Sequence, residues 1–460
     1  MPRPVRLEDD LALQFLNSRI DYERALAVPY GHRDFRLDRM RDLLARLDNP
    51  QETLRIVHVA GTKGKGSTAA MIAAVLSAAG YRTGLYSSPH LNRVEERLMI
   101  DGRICPSVEF AQLVAGIQAA VAAMDAHSTP DGDGSNRPTY FEIITALAHV
   151  YFAKHRVQAA VLEVGLGGRL DSTNVCSPLV SVITSISFDH TQLLGETLAS
   201  IAGEKAGIIK PGVPVVSGVE ADEPRAVIAD VARRNECRLV ELGPDFEFEY
   251  RPPRDLQRVA SPGRMDFVDR TGNTPRRLHD LQLALLGRHQ AANAAVGMAV
   301  LAELGRQGFD VAESALRQGL AEVCWPARVE ILRRWPTVVL DAAHNVASAE
   351  ALVRVLDESF ACPRRLLVFA ASRDKNLRGM LEVLLPRFDE VIFTRYWTNP
   401  RGVPPEELEA LAAELSGIGR HVCTDPATAW QSAQKLATKE HLICVTGSIF
   451  VAAEMRAAVG

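Results

Sequence analysis

The feature that most constrains this chain is a glycine-rich turn between an apolar run and a helix-forming stretch. The run Ile56–Ala60 (IVHVA) is apolar and β-branched, which is typical of a buried parallel strand. The turn continues as GTKGKGS over residues 61–67, and the stretch from Ser67 to Ala79 predicts a helix. At such a junction, backbone N–H groups can close on a phosphate while Lys65 neutralises its charge. We therefore predict a nucleotide-triphosphate loop of the form GxxGKGS, in which Gly66 separates Lys65 from the serine.

The composition excludes several classes of protein. A chain of 460 residues is too long for one ordinary core, so two or three domains are expected. Its hydrophobic content of 47% with 23% charged residues is typical of a soluble globular protein. The net charge of −4 gives no electrostatic footprint for nucleic acid or an anionic membrane, so neither is an expected partner.

The cysteines and the N-terminal residues indicate a compartment. The seven cysteines are scattered without a CxxC pair, which argues against a zinc site or a disulfide framework and fits a reducing cytoplasm. The first residues, MPRPVRLEDD, have no apolar core and do not form a signal peptide. No apolar run is expected to approach membrane-spanning length. A cytoplasmic protein is therefore expected.

Polar residues follow several predicted strands. Ser88 comes just after a short strand, where open α/β sheets place ligands, although a Ser-Ser-Pro is by itself more often only a turn. Glu163 ends an apolar strand before a glycine-rich turn, and a buried carboxylate is costly unless it is paired or metal-bound. His190 follows the predicted strand Leu179–Ile186, where a lone histidine is more often a hydrogen-bonded core residue than a ligand. We expect the strands of Glu163 and His190 to be neighbours, which favours a metal ligand or a charge relay.

Helical periodicity and turn residues predict the flanking elements. Apolar residues recur at helical spacing over residues 8–26 and 35–47, and residues 127–138 (HSTPDGDGSNRP) predict a surface loop. Thr139 is then a plausible N-cap, with Glu142 three residues on as a capping box. That structural role is sufficient by itself to explain Glu142.

The second half of the chain changes character. Residues 244–280 are proline-rich and charged, with short alternating pieces that predict a small antiparallel β insert. Asn293 lies in a long alanine-rich helix, and residues 322–328 (EVCWPAR) mark a junction after which a new βα alternation starts. Asp341 and His344 come at the carboxyl end of a strand in this second predicted parallel sheet.

Taken together and in this order, these motifs resemble the folylpolyglutamate synthase/dihydrofolate synthase family, a branch of the Mur-type ATP-dependent amide ligases. The resemblance extends from about residue 35 to the C-terminus, and its most specific stretch is LEVGLGGRLDSTN at 162–174. The other matching stretches are GTKGKGST (61–68), YSSPHL (86–91), ERLMIDG (96–102), TYFE (139–142), SFDHTQLLG (187–195), EKAGIIKPG (204–212), NAA (293–295), WPAR (325–328), DAAHN (341–345) and TGS (446–448).

The resemblance implies an α/β protein of two domains. A P-loop ATPase domain with a parallel-rich sheet is expected over residues 1–320, followed by a linker at 321–328. A smaller Rossmann-like glutamate ligase domain is expected over residues 329–460, with the active site in the interdomain cleft. The family also implies a monomer.

The resemblance implies an ATP and magnesium site as well. The phosphates of ATP are expected to contact Gly61, Thr62, Lys63, Gly64, Lys65, Gly66 and Ser67. The nucleotide is also expected to contact Asn293, Arg328 and Asp341. Two magnesium ions are expected, with the ligands Ser88, Glu163, His190 and, as a carbamate, Lys205. Nothing local singles out Lys205, but carbamylation would turn a cation into an anion able to bind or orient a metal ion.

The substrates implied are ATP, L-glutamate and dihydropteroate or a reduced folate. Pterin or folate contacts are expected from Thr139, Tyr140, Phe141, Glu142, Leu170, Asp171 and Ser172, and His344 is expected near the incoming glutamate. The catalytic set is then Lys65, Lys205, His190, Arg328, Asp341 and His344. The substrate carboxylate would attack the γ-phosphate of ATP, and the amine of glutamate would attack the resulting acyl phosphate.

Two positions depart from the family pattern, and two other functions compete. Lys63 stands where the family usually has asparagine, and Val346 stands where many members have proline. A Mur-type ligase for a cell-wall peptide precursor is disfavoured by the LDSTN and TYFE stretches. A non-catalytic P-loop module is disfavoured by the joint presence of Lys65, Glu163 and Lys205 with a histidine at 190. The pterin match favours dihydrofolate synthase activity, and whether chain extension accompanies it stays open.

Overall fold

The computed structural model describes residues 7–23, 37–126 and 136–459. The chain forms two compact units, each built from more than one segment. The first comprises Met1–Phe248, Phe267–His279 and Ala292–Val323, and the second comprises Glu249–Asp266, Asp280–Ala291 and Cys324–Gly460.

The described residues form helices and strands that alternate along most of the chain. The helices are α1 Leu7–Asn17, α2 Leu37–Ala45, α3 Lys65–Ala78, α4 Ser107–Ala126, α5 Tyr140–Lys154, α6 Thr191–Leu194, α7 Leu198–Ala206, α8 Asp222–Arg234, α9 Arg288–Gly305, α10 Glu313–Glu322, α11 Val346–Ser359, α12 Leu377–Leu384, α13 Pro405–Leu415, α14 Pro426–Leu436 and α15 Ile449–Val459. The strands are β1 Ile56–Ala60, β2 Thr83–Tyr86, β3 Leu98–Ile100, β4 Arg103–Ile104, β5 Ala159–Glu163, β6 Pro178–Ile183, β7 Val215–Ser217, β8 Leu239–Glu241, β9 Phe246–Arg251, β10 Gly263–Asp269, β11 Arg276–Leu283, β12 Glu330–Arg334, β13 Thr337–Leu340, β14 Arg365–Phe369, β15 Glu390–Phe393, β16 Gly419–Val422 and β17 Leu442–Thr446.

The first unit is built on an eight-stranded sheet with the order β4-β3-β2-β5-β1-β6-β7-β8. In this order, the neighbouring strands β2, β5, β1, β6, β7 and β8 pair in parallel. The pairs β2–β3 and β3–β4 at one edge are antiparallel. Strand β1 is buried over its whole length, as expected for a strand with helices on both faces. The predicted parallel-rich sheet is confirmed.

One expected adjacency in this sheet is wrong. Glu163 is the last residue of β5 and His190 follows β6, and β1 lies between these two strands. Val59 of β1 pairs with Glu163 on one side and with Val182 on the other. Strand β1, which leads into the phosphate loop, therefore lies between β5 and β6, and both of these strands end beside it.

The second unit contains a six-stranded sheet with the order β12-β13-β17-β14-β15-β16. Its pairs are parallel except for the antiparallel pair β12–β13. The strand β13 ends at Leu340, and β17, which lies beside it, ends at Thr446. The predicted DAAHN stretch follows β13 directly, and the predicted TGS stretch begins at Thr446, the last residue of β17.

The predicted insert is a three-stranded sheet with the order β11-β10-β9. Strand β11 continues to Leu283, three residues beyond the expected end of the insert at 280. The expected helices at 8–26 and 35–47 are shorter in the described residues, as α1 and α2, because the chain turns after Asn17 and after Ala45. Residues 24–26, 35–36 and most of the predicted surface loop lie outside the described residues.

Helix α4 overturns the expectation that no apolar run approaches membrane-spanning length. In the part of the chain that the structure describes, it is the one helix long and apolar enough to cross a bilayer by length and composition. Core helices pass the same test, and α4 buries Phe110, Val114, Ile117 and Val121 in the main core of the first unit. That packing accounts for the apolar residues on its buried face.

Candidate active site

The glycine-rich turn leads directly into α3, whose first residue is Lys65 and not Ser67 as expected. Gly64 precedes the helix as N-cap in the left-handed conformation, with φ of 81°. The first N–H groups of a helix have no acceptor within it, and the helix dipole makes this end positive. Lys65 and Gly66 therefore lie in the first turn, where backbone N–H groups and an ammonium group can together bind an anion.

Two glycines of the loop allow close packing that no other residue permits. Gly61 has φ of 152°, and a Cβ atom there would lie 2.0 Å from the hydroxyl of Thr184. A Cβ atom on Gly64 would lie 2.1 Å from the amide oxygen of Asn293. The Asn293 side chain, carried by α9, therefore lies directly against the phosphate loop. The structure thus brings this predicted nucleotide contact to the loop.

The loop is held in shape by the residues that follow β6. The N–H of Thr62 donates to the carbonyl of Ser185 at 2.7 Å, and its hydroxyl donates to the carbonyl of Ser187 at 3.2 Å. The carbonyl of Lys63 accepts from the hydroxyls of Thr184 (2.6 Å) and Ser185 (3.0 Å). The N–H of Lys63 donates back to the Ser185 hydroxyl at 3.2 Å. These bonds hold the first half of the loop in one conformation.

Lys205 lies under this loop. It is carried by α7, is only 4% exposed, and donates from Nζ to the carbonyl of Gly61 at 2.9 Å. This burial has no signal in the local sequence. Burial lowers the pKa of Lys205 to about 7, and the positive charge of Lys65 acts in the same direction. A buried amine with this pKa is partly neutral, and so nucleophilic, at physiological pH.

Glu163 and Ser88 are brought together by the register of two strands. Tyr86 at the end of β2 pairs with Leu162 of β5, so the residues after Tyr86 lie beside Glu163. The N–H of Ser88 donates to Glu163 Oε2 at 3.2 Å, and Glu163 is 6% exposed. A buried carboxylate beside a serine is an oxygen-donor set of the kind that suits magnesium, which usually takes one or two carboxylates and completes its shell with water and phosphate.

His190 lies in the loop after β6. It adopts a left-handed backbone conformation (φ 48°), and its Nε2 is 3.8 Å from a carboxylate oxygen of Asp189. Among residues 7–23, 37–126 and 136–459, no group of three or more His, Cys, Asp and Glu side chains is placed to hold a metal ion. Magnesium bound here would therefore depend on single groups such as Glu163, with water and phosphate supplying other ligands.

The predicted capping box at the start of α5 is confirmed and carries an additional ion pair. The N–H of Glu142 donates to the Thr139 hydroxyl at 3.3 Å, and the N–H of Thr139 donates to Glu142 Oε2 at 2.8 Å. The same oxygen lies 2.8 Å from Nε of Arg39 on α2, and both side chains are buried. Burial raises the pKa of Glu142, against the opposing charge of Arg39. Capping alone is therefore an incomplete explanation of Glu142.

Asp171 organises the glycine-rich turn that follows β5. Its buried carboxylate accepts hydrogen bonds from the N–H groups of Leu166 (2.9 Å) and Thr173 (3.0 Å) and from the Thr173 hydroxyl (2.5 Å). Burial raises its pKa, and these hydrogen bonds oppose that shift. A Cβ atom on Gly165 would lie 2.4 Å from Cζ of Phe141. The two predicted folate stretches therefore meet, since Phe141 of TYFE packs on the turn that Asp171 supports.

The remaining predicted substrate residues lie around this contact. Tyr140 is buried, and the guanidinium of Arg97 lies 5.5 Å from the centre of its ring. Leu170 and Ser172 are half-buried on either side of Asp171.

In the second unit, the predicted residues lie at the end of β13. Asp341 accepts from the N–H groups of Val329 (2.9 Å) and Ala343 (2.8 Å), and burial raises its pKa against the opposing charge of Arg328. The Nδ1 of His344 lies 2.9 Å from the carbonyl of Ala342. Because a carbonyl can only accept, the proton of this contact is on Nδ1. The structure thus brings Asp341, Arg328 and His344 to one end of this sheet.

Comparison with known proteins decides the family. A family model described as the Mur ligase middle domain matches residues 59–301, and one described as the Mur ligase glutamate ligase domain matches residues 327–449. The dihydrofolate synthase/folylpolyglutamate synthase of Bacillus subtilis is 35% identical over 422 residues, covering 91% of this chain and 94% of that protein. This chain belongs to the folylpolyglutamate synthase/dihydrofolate synthase family. It is an ATP-dependent ligase that forms an amide bond, with ATP as co-substrate.

Solved structures of family members have the same fold. Folylpolyglutamate synthase of Mycobacterium tuberculosis, solved in complex with ADP and AMPPCP, matches with a TM-score of 0.87 and 32% identity, covering 98% of both chains. The Escherichia coli FolC structure in complex with DHPP and ADP matches with a TM-score of 0.81 and 32% identity, covering 97% of both chains. These relatives support ligation to a folate-type substrate over a cell-wall precursor or a non-catalytic module.

Three residues that support the candidate active site could not be identified from the sequence. Thr184 and Ser185 hold the phosphate loop, and Arg39 pairs with Glu142, but none of the three lies in a motif that predicts chemistry. Their only sequence signal is their position, since Thr184 and Ser185 follow a buried strand whose carboxyl end faces the ligand edge. Here those two residues hold the loop that follows the neighbouring strand β1.

Proposed function

We propose that this enzyme joins L-glutamate to dihydropteroate and to folates that already carry glutamate, through an acyl phosphate. The observation that carries the proposal is the buried Lys205, whose Nζ donates to the carbonyl of Gly61, the first residue of the phosphate loop. A buried amine with a lowered pKa is costly to a fold, so its position beneath an anion site favours a catalytic role. The substrates implied are small molecules, and the free cysteines fit the reducing cytoplasm in which we propose that the enzyme works. The net charge of −4 fits the proposed absence of nucleic acid and membrane partners, and a monomer is proposed from the family resemblance.

The phosphate loop is suited to the first chemical step, the transfer of the γ-phosphoryl group of ATP to the substrate carboxylate. The carboxylate of dihydropteroate attacks the γ-phosphorus of ATP, the bond to the β-phosphate oxygen breaks, and ADP leaves. The N-terminal N–H groups of α3 and the ammonium of Lys65 stabilise the charge on the transferring phosphoryl oxygens. Glu163 and Ser88, with His190, would hold magnesium, which supplies further neutralisation of that charge when bound. Gly61, Thr62, Lys63 and Ser67 complete the loop that surrounds the phosphates, and Asn293 contacts the nucleotide.

We also propose that Lys205 is carbamylated. The lone pair of its neutral Nζ attacks the carbon of carbon dioxide, one proton leaves Nζ, and a carbamate with one negative charge forms. Burial favours the neutral amine that this step needs, since it lowers the pKa of Lys205 to about 7. The product is an anionic oxygen donor next to the loop, suited to a second magnesium ion.

The second step forms the amide. The amine of L-glutamate attacks the carbonyl carbon of the acyl phosphate, a tetrahedral intermediate collapses, and phosphate leaves. His344 is assigned to the incoming glutamate, and Arg328 and Asp341 to the nucleotide, on the strength of the DAAHN and WPAR motifs. The folate side is assigned to Thr139, Tyr140, Phe141, Glu142, Leu170, Asp171 and Ser172. Support comes from the contact of Phe141 with Gly165, which lies in the turn that Asp171 holds through the N–H of Leu166.

One assay tests the proposal. Purified enzyme is given Mg-ATP and labelled glutamate, with dihydropteroate, a reduced folate or a UDP-sugar peptide in separate tubes. Incorporation is expected with dihydropteroate and with the reduced folate, and not with the peptide. Absence of incorporation in both folate tubes would overturn the proposal, and incorporation in only one would identify which of the two activities is present.

A further inference from the structure

His58 is a fully buried histidine in the middle of the phosphate-loop strand. It belongs to β1, two residues before Ala60, and none of its surface is exposed. Its Nε2 lies 2.8 Å from the hydroxyl oxygen of Thr173, in the short 3-10 turn Ser172–Val175 that follows the glycine-rich turn. An imidazole in an otherwise apolar strand is costly unless it is hydrogen-bonded, so this contact explains why a polar side chain is tolerated here.

From Thr173, further hydrogen bonds lead to residues 165–172, which we call the folate-side turn. The Thr173 hydroxyl donates to Asp171 Oδ1 at 2.5 Å, and Asp171 Oδ2 accepts from the N–H of Leu166 at 2.9 Å. The hydroxyl has one proton, so donating it to Asp171 leaves its oxygen to accept from His58. The chain of bonds therefore runs from His58 through Thr173 and Asp171 to the backbone of the glycine-rich turn.

The surroundings of His58 assign its tautomer. Among the described residues, no group is within hydrogen-bond reach of Nδ1, so a proton there would be buried and unpaired. The proton is therefore placed on Nε2, where it can be donated to Thr173. Burial lowers the pKa of His58 to about 3, and Lys210 and then His149 act electrostatically in the same direction. The imidazole thus stays neutral, and a single donor, throughout the physiological pH range.

We propose that His58 is a positioning residue for the folate-side turn at 165–172. Its N–H orients the Thr173 hydroxyl toward Asp171, and Asp171 holds the turn against which Phe141 packs. His58 contacts no reacting atom and acts only through this chain of bonds. Because it is carried by the strand that leads into the phosphate loop, it ties the folate-side turn to the ATP loop. The inference rests on the proposed function, and it deepens the assignment of the folate side.

A second buried histidine provides a matched control. His149 on α5 is also fully buried, and neither of its ring nitrogens has a hydrogen-bond partner among the described residues. Burial lowers its pKa to about 4, so it is neutral as well. His149→Leu thus removes an equally buried imidazole without removing a hydrogen bond to the folate-side turn.

The test compares Michaelis constants for dihydropteroate and for ATP in the full-length enzyme. His58→Leu and Thr173→Val are expected to raise KM for dihydropteroate about tenfold, the effect of one lost buried hydrogen bond, and to leave KM for ATP within about twofold. His58→Gln keeps an N–H donor and is expected to recover most of the loss. His149→Leu is expected to leave both constants unchanged. In wild-type enzyme, the ¹⁵N shifts of His58 are expected to report a neutral ring protonated at Nε2.

Several outcomes would overturn the inference. A KM for dihydropteroate within twofold of wild type in Thr173→Val would do so, and this conservative variant decides the matter if His58→Leu does not fold. Equal increases in both constants would indicate a merely structural role, as would failure of His58→Gln to improve on His58→Leu. A wild-type enzyme that neither binds nor turns over dihydropteroate would instead refute the proposed function. The two failures are therefore distinguishable.

Discussion

Lys205 Nζ donates a hydrogen bond to the carbonyl oxygen of Gly61 at 2.9 Å, although the two residues are 144 positions apart. One belongs to α7 and the other is the first residue after β1. The bond brings a buried amine to the base of an anion-binding loop. The proposed carbamylation of Lys205 depends on this position.

Replacing Lys205 is expected to abolish most of the ligase activity. Lys205→Arg retains a positive charge but cannot form the carbamate, so labelled glutamate incorporation should fall by roughly 100-fold, as when a preorganised stabilising group is lost. Lys154→Arg is the control, because Lys154 is half-exposed and pairs with Glu109 at the surface. Wild-type activity should also rise between pH 6 and pH 8 and fall when carbon dioxide is removed from the buffer. Full activity in Lys205→Arg would contradict carbamylation.

The lowered pKa of Lys205 makes stability depend on pH. Its pKa is about 7 in the folded state and near 10.5 in the unfolded chain, so the unfolded state binds more protons between these values. The free energy of unfolding therefore rises with pH from 7 upward, by about 2 kcal/mol between pH 7 and pH 9 for this group. Urea unfolding in buffer free of carbon dioxide should show that increase in wild type and in Lys154→Met, and not in Lys205→Met. An unchanged slope in Lys205→Met would refute the assignment.

Alanine at Gly64 is expected to weaken ATP binding. Its Cβ atom would lie 2.1 Å from the Asn293 amide oxygen, so this side chain must turn away from the loop and lose its proposed contact with the nucleotide. A lost hydrogen bond of about 1 kcal/mol corresponds to a rise of roughly fivefold in Kd. Gly80→Ala is the matched control, because Gly80 has a similar φ of 89° with no atom within 4 Å of the added Cβ. Calorimetric titration with ATP should detect the loss in Gly64→Ala alone. Equal losses of ATP affinity in both variants would indicate that backbone strain, and not the contact with Asn293, causes the effect.

Breaking the Arg39–Glu142 pair is expected to destabilise the first unit. Either Arg39→Met or Glu142→Leu leaves one charge buried without its partner, which costs about 3–5 kcal/mol. The double variant removes both charges and should be less destabilised than the sum of the two single changes. Urea unfolding of the four proteins forms the double-mutant cycle, with the exposed pair Arg41–Asp38 as a control cycle near zero. If the losses of unfolding free energy in the two single variants add up to the loss in the double variant, Arg39 and Glu142 do not stabilise each other.

Some parts of the candidate site could be predicted because they depend only on residues that are close together in the sequence. The apolar run of β1 and the glycines after it identify the phosphate loop, and Glu163 is recognisable because a carboxylate inside an apolar strand needs a partner. Helix α3 begins two residues before the predicted start at Ser67, because Gly66 lies inside its first turn although glycine has low helix propensity. Thr139 and Glu142 form the expected capping box, because that motif lies within one turn of helix.

Other parts depend on contacts between distant segments. No local pattern places Thr184 and Ser185 against Lys63, or Arg39 against Glu142, because each contact requires two segments more than 100 residues apart. The expected adjacency of the strands of Glu163 and His190 failed for the same reason. Strand order is set by how the crossover helices pack, and the apolar pattern of a strand does not encode its neighbour.

The sequence by itself determined the family, the α/β alternation and the phosphate loop, because these depend on side-chain periodicity and on residues adjacent in the chain. The tertiary structure decided which loops meet at β1, that Lys205 is buried beneath Gly61, and that His58 reaches Asp171 through Thr173. Burial is a property of the assembled fold. The lowered pKa values of Lys205 and His58 could therefore appear only once the surrounding strands and helices were in place.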